Sequence, residues 1–309
     1  MSMTISDQQK DRLKDRLARL VPQTSAPSLA KVCGLSSNCP TCKGNKGVLL
    51  EAGPSTVKAS LCSCVKNCGL CSASCLKPVE NSVTPCANPS PRKIIGLINE
   101  AHIPSRYLDA DLEKFDAFSP TDRSQNMALQ NWIRGIEPGK SSGLLLSGPV
   151  GMGKSWFLAA VAKKLAFKGI SVRYTDFFQL VHELREAYAN DLSDKASLRP
   201  LQNVDVLIID ELGKGRNSEW ELSVADSLIS ERYNGNKCII AATNYPLTGS
   251  SDDHAKREID YLRADKVSTN QMNTTTFEPL SQRIGARMFS RLSENCICMP
   301  VVGVDRRRR

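Results

Sequence analysis

The eight residues GPVGMGKS at 148–155 narrow the fold of this chain more than any other stretch. They fit the spacing G-x-x-x-x-G-K-[ST]. They follow the apolar run GLLLS (143–147) and open the run WFLAAVAKKLAF, so the motif stands between a strand and a helix, the setting in which it cradles phosphate. Gly148, Gly151 and Gly153 leave the backbone free to curl until successive N–H groups point at phosphate oxygens, and the helix N-terminus adds its partial positive charge. On this reading Gly148, Pro149, Val150, Gly151, Met152, Gly153, Lys154, Ser155 and Trp156 form the nucleotide-binding run. Lys154 reaches the β and γ phosphates, and Ser155 ligates magnesium.

The surrounding pattern agrees with an α/β fold. The runs at 143–147, 170–176, 204–210 and 237–243 lack polar alternation, as expected of strands covered on both faces by helices. Helical stretches at about 154–168, 177–190 and 219–234 lie between them. Strand-helix alternation of this kind predicts a parallel sheet. Residues 248–277 are polar and weakly periodic, the pattern of a long loop or a partly disordered insertion.

A phosphate loop of this type requires an acidic partner at the end of a neighbouring strand, and VLIIDE supplies it 56 residues after Lys154. Asp210 is expected to hold the magnesium, directly or through water, and Glu211 to orient and deprotonate the attacking water. Both emerge after four apolar residues, at the carboxyl edge of the sheet where ligands bind in open α/β folds. The next strand ends in AATN, which brings the amide of Asn244 to the same edge, facing the γ-phosphate or the attacking water. Further on, LSQRIGARMFSRL (280–292) carries Arg283, Arg287 and Arg291 at every fourth position beside a stripe of Leu280, Ile284, Met288 and Leu292. One face of such a helix packs and the other presents guanidiniums. Arginine offered in trans stabilises phosphoryl-transfer charge in many nucleotide-driven machines; a solvated helix face is the alternative.

Nine of the 12 cysteines fall between Cys33 and Cys86. Cys39 and Cys42 form C-x₂-C, Cys62 and Cys64 lie twenty residues on, and Cys68, Cys71, Cys75 and Cys86 follow. Eight thiols match two tetrahedral Cys₄ zinc sites, divided most simply as 39/42/62/64 and 68/71/75/86, with an interleaved division and a single ion as alternatives. Cys33 is then spare. Disulfides are disfavoured because the first residues, MSMTISDQQKDRLKDRLARLV, are charged throughout and lack a secretory leader, which points to a reducing, cytoplasmic setting. No run of 18 apolar residues exists to cross a membrane. Cys238, Cys296 and Cys298 read as small core residues. His102, His182 and His254 show no ligand spacing.

Charge is uneven: residues 1–92 hold 12 Lys/Arg against 5 Asp/Glu, and the chain ends in four arginines, Arg306 to Arg309. A basic first module suggests an anionic partner such as nucleic acid. Two Cys₄ zinc sites, each carrying net −2, would lower that module from +7 to about +3, which makes a protein-docking role at least as good a reading. Leu13, Leu17 and Leu20 make an amphipathic stripe that Pro22 ends, and CANPSPRK (86–93) reads as a linker. The expected organisation is an N-terminal helix within 1–24, a cysteine-rich zinc-binding domain and linker over 25–92, and an ATPase domain over 93–309.

Over about 97–309 these residues resemble the DnaC/DnaI-type replicative helicase loaders, a branch of the AAA+ ATPases, and their relatives the IstB-type transposition helpers. The likeness rests on AHIPSRYLDADLEKF, the phosphate loop, DVLIIDELGKGRNSEWE, SERYNGNKCIIAATNYP and the closing LSQRIGARMFSRL with GVDRR. The resemblance implies a Mg-dependent, slow and partner-stimulated ATPase. It matches Arg291 to an arginine finger with Arg287 as companion, and Arg307, or Arg306 one register earlier, to a second sensor. It also implies an ATP-dependent homo-oligomer, single-stranded DNA and the replicative helicase as partners. DnaI-type loaders carry a zinc-binding N-terminal region and IstB-type helpers generally do not, so the cysteines favour the loader. The alternatives are a transposition helper and a zinc-dependent regulatory ATP-binding adaptor.

Overall fold

The computed structural model describes residues 39–67, 71, 74–79, 82–86, 89–115, 123–137, 142–189, 200–215, 218–247 and 278–301. The expected N-terminal helix, Cys33, Cys68, the polar stretch 248–277 and the tail arginines Arg306 and Arg307 lie outside the described residues.

Two small antiparallel hairpins come first, β1 (Val48–Ala52) with β2 (Val57–Leu61) and β3 (Leu76–Val79) with β4 (Ser82–Pro85). Helix α1 (Pro91–Glu100) follows, so the stretch read as a linker ends early. Ser90 caps this helix, its Oγ accepting from the Lys93 N–H, and Pro91 occupies the first turn. Serine and proline suit a helix start as well as a loop, and composition alone does not separate the two.

After α2 (Arg123–Gly135) come the strands of the main sheet and their helices. These are β5 (Gly143–Ser147), α3 (Lys154–Phe167), β6 (Val172–Asp176), α4 (Phe177–Ala189), β7 (Val206–Asp210), α5 (Glu219–Asn234) and β8 (Cys238–Thr243). Two short helices, α6 (Leu280–Arg283) and α7 (Ala286–Asn295), lead into β9 (Cys296–Pro300). The sheet has five strands in the order β6-β7-β8-β5-β9, all parallel. The expected α/β architecture is therefore present, with β9 as a fifth strand beyond the four apolar runs named above. Val301, just past β9, donates its N–H to the carbonyl of Ser147 at 2.6 Å.

Why the strands read as unbroken apolar runs is plain from their two faces. Leu144, Leu146, Val206, Ile208, Ile240 and Ala242 join a core with α1, α2 and α3. Leu145, Leu207, Ile209, Ile239 and Ala241 join a second core with α4, α5, α6 and α7. Alternate residues need alternate helical layers, so no position of β5, β7 or β8 is left to water. The first core also takes in Val48, Val57 and Ala59 of the β1-β2 hairpin. Cys238 and Cys296 are buried as expected, whereas Cys298 is exposed. β9 is an edge strand, on which Cys298 stays exposed although Cys296, two residues away on the same face, is buried.

Candidate functional site

Three adjacent strands, β7, β8 and β5, end at one edge of the sheet, and the residues just past them line one cavity of about 570 Å³. The loop after β5 turns through left-handed Gly151 (φ 91) and Gly153 (φ 88), conformations in which a side chain would be strained. Gly153 is also the N-cap of α3. Lys154 is 6% exposed and turns its ammonium back on the loop, donating to the carbonyls of Gly148 at 2.6 Å and Pro149 at 2.7 Å. Val150, Gly151, Met152, Ser155 and Trp156 line the cavity with it. Gly148 and Pro149 are buried at the foot of the loop. Inward-facing backbone, an ammonium and a hydroxyl at a helix start make a donor set that fits a nucleotide polyphosphate and its magnesium.

Asp210, Glu211 and Asn244 face the same cavity. Asp210 is 7% exposed and both its oxygens are engaged. The Tyr174 hydroxyl, from β6, donates to Oδ2 at 2.7 Å, and the Glu211 N–H donates to Oδ1 at 2.9 Å. Burial first, and then the Asp210 charge, push the Tyr174 hydroxyl far above its ordinary range, so it stays a donor. Glu211 sits at φ 50, a left-handed position unusual for a residue with a side chain, and its carboxylate pairs with Lys214. Tyr174 and Lys214 were not apparent from the motifs, because each depends on strand register or a tight turn. Arg106, Tyr107, Lys114 and Phe115 also line the cavity. There Phe115 stacks on Trp156 with ring centroids 5.7 Å apart.

The arginines of 280–292 separate into different roles. The helix expected there breaks at Gly285 (φ 83), while Leu280, Ile284, Met288 and Leu292 are buried as expected. Arg283 turns inward. Its Nε donates to the Gly213 carbonyl at 2.7 Å, another nitrogen meets Gly215, and its guanidinium lies 4.2 Å from the Tyr245 ring centroid. Arg287 and Arg291 lie away from the cavity and share Asp226 of α5, at 3.4 Å and 2.8 Å. The Arg291 side chain is 20% exposed and that of Arg287 is 75% exposed.

The family model of the IstB-like ATP binding proteins matches residues 89–253, more than half of the chain. This chain belongs to that family. A Sinorhizobium fredii protein named as an insertion sequence ATP-binding protein is 33% identical over 156 residues, 49% of each chain. The replicative helicase loader DnaC of Escherichia coli is 25% identical over 126 residues, 40% of this chain and 51% of DnaC. The DnaI loader of Bacillus subtilis is 27% identical over 130 residues, 42% of each. The chain thus spans about half the length of the curated relatives it matches. Among solved structures, the DnaC helicase loader matches with 26% identity and a TM-score of 0.48, covering 64% of this chain and 99% of that one.

This IstB-like protein carries a second constellation ahead of the family match. The sulfurs of Cys39, Cys42, Cys62 and Cys64 lie within 4.8 Å of one another. Cys39 and Cys62 are 3.8 Å apart, and Cys42 and Cys64 are 3.7 Å apart. Four sulfurs at about 2.3 Å from one zinc span tetrahedron edges of about 3.8 Å, so spacing and donor set fit that ion. The N–H of Cys42 is the main cause holding the Cys39 thiol down at about 6, and burial pushes Cys42 and Cys64 up. Of the other quartet, Cys71, Cys75 and Cys86 are buried, and the Cys86 N–H donates to the Cys75 carbonyl at 2.8 Å. Cys68 lies outside the described residues. Among the described residues, no helix is long and apolar enough to cross a membrane.

Proposed function

We propose that this protein is an ATP-switched helicase loader that engages the replicative helicase and single-stranded DNA. The observation that carries the reading is the split of its chemistry. The phosphate loop, Asp210, Glu211 and Asn244 share one cavity, while Arg287 and Arg291 sit apart on Asp226. In this reading Lys154 binds the β and γ phosphates, and Ser155 and Asp210 hold magnesium, which supplies charge neutralisation when bound. Glu211 takes the proton of the attacking water and Asn244 orients it. Arg291, with Arg287 beside it, completes the pocket of a neighbouring copy, so hydrolysis depends on assembly. The division into 1–24, 25–92 and 93–309, the sensor role of Arg307 or Arg306, and a second zinc on Cys68, Cys71, Cys75 and Cys86 belong to the same reading.

The Cys₄ cluster supports the loader over a transposition helper, while the 33% identity to an insertion sequence protein favours the helper. Co-purification of the full chain from native cells decides between them: the replicative helicase is the expected companion, and a transposase in its place would overturn the loader reading.

Arg291→Ala is expected to lower ATP turnover roughly 10³-fold or more, and mixing it with Lys154→Ala chains should restore activity. Each variant then supplies what the other lacks at one shared interface. Absence of restoration would remove the trans assignment. Tyr174→Phe is expected to cost about 1–3 kcal/mol, because a buried carboxylate oxygen loses its donor. A lower denaturant midpoint and a higher magnesium requirement for nucleotide binding would register it.

A further inference from the structure

The β1-β2 hairpin has two ends, and each meets something different. At its open end, Cys39 and Cys42 precede β1, while Cys62 and Cys64 follow β2 directly. The Cys62 N–H there donates to the Gly47 carbonyl at 2.9 Å. At its closed end, the turn 53–56 is sewn to the segment after α1. The Val57 N–H donates to Ile103 at 2.7 Å, and the Ser105 N–H donates to Ser55 at 3.0 Å. The Ser105 hydroxyl donates to Gly53 at 2.7 Å, and Thr56 pairs with Pro104 as an antiparallel bridge. Midway, the Asn99 side chain forms reciprocal bonds with the backbone of Ala59, at 2.8 Å and 3.2 Å.

The next residues along, Arg106 and Tyr107, form part of the wall of the cavity that the phosphate loop also lines. Their segment is pinned from the other side by Lys163 of α3, which donates to the carbonyls of Tyr107 and Leu108 at 3.3 Å and 2.6 Å. The cysteine end touches the same helix, since Lys46 Nζ donates to the carbonyl of Phe167, the last residue of α3, at 3.0 Å.

From this connection we infer that the Cys39/Cys42/Cys62/Cys64 site is a positioning element of the nucleotide pocket: the metal fixes the hairpin, and the hairpin holds the wall formed by Arg106 and Tyr107. This rests on the nucleotide and zinc readings above and adds a coupling between them. A two-stranded hairpin is marginal alone in water. Ligation across its open ends supplies the order that the strands lack. Loss of the ion frees the strands, and the bonds to Ile103, Ser105 and Pro104 transmit that freedom to the wall.

Such a coupling is reciprocal: whatever factor zinc adds to nucleotide affinity, nucleotide must add to zinc affinity. The test uses the full chain, Zn²⁺ and a fluorescent ATP analogue. Stripping zinc with a chelator is expected to raise the nucleotide Kd roughly 5- to 150-fold, with retained circular dichroism showing that the main sheet stays folded. Nucleotide should slow zinc loss and raise zinc affinity by the same factor. The double variant Asn99→Ala/Ser105→Ala keeps all four cysteines and every residue of the cavity. It removes the Asn99–Ala59 bonds and the Ser105 hydroxyl bond while leaving the backbone links in place, so it is expected to retain zinc, bind nucleotide more weakly, and lose part of the zinc dependence. Nucleotide affinity within twofold of the zinc-loaded value after stripping would overturn the coupling, as would a double variant that binds nucleotide like the parent and responds to zinc unchanged. A parent chain that binds no nucleotide even when zinc-loaded would instead refute the ATP reading, and one that takes up no zinc would refute the metal reading; in either case the coupling falls with it.

Discussion

Lys154→Ala is expected to lower ATP hydrolysis about 10²- to 10³-fold, the usual consequence of removing one fixed positive donor from developing phosphoryl charge. Nucleotide affinity should fall with it, because the ammonium is the cationic side chain at the head of α3 within the cavity. The fold should survive. Lys154 donates to the carbonyls of Gly148 and Pro149, and each such bond is worth about 1 kcal/mol net. Turnover under saturating nucleotide, beside a thermal melt, separates the two effects. Unchanged turnover in a folded variant would mean that the phosphate loop is not the reacting site.

The largest stability effect is expected at Arg232, which no motif marks. Its guanidinium is 0% exposed at the end of α5. Nη1 donates to the carbonyls of Leu201, Gln202 and Val204 at 2.8, 3.3 and 3.0 Å. Nη2 donates to those of Asp205 and Cys238 at 3.2 and 2.8 Å. One side chain therefore ties the approach to β7 and the first residue of β8 to the helix between them. Burial lowers its pKa only to about 10, so it stays charged at neutral pH. Arg232→Met keeps most of the volume and strands the carbonyls, each at about 1–3 kcal/mol if left unpaired, for an expected total of about 3–5 kcal/mol. At about 2–4 °C per kcal/mol for a domain of this size, the melting temperature should drop by roughly 6–20 °C. A drop under about 2 °C would show that water or backbone shifts replace the guanidinium at little cost.

These two residues mark how far the sequence could be read. Lys154, Asp210 and Asn244 were legible because each stands at a fixed offset from an apolar strand, and strand ends in a parallel sheet converge on one edge. The buried stripe through Leu280 and Leu292 was legible from its period, but the break at Gly285 was not, since one glycine inside a helical pattern is normally tolerated. Arg232 looked like any surface arginine, and Asp226 like any surface acid. Their partners lie 27 or more residues away for Asp205, Val204, Gln202 and Leu201, and 65 away for Asp226 with Arg291. The hairpin's place in the main core was hidden for a related reason. Cysteine spacing announces a metal site but carries no information about what its strands lean on.

The bond between Val301 and Ser147 ties the chain just after β9 to the residue before the phosphate loop. Ser147 is also the last residue of β5, so one hydrogen bond joins the edge strand to the origin of the loop beside the cavity. A partner that displaced β9 would therefore disturb the phosphate site without touching any residue that lines it.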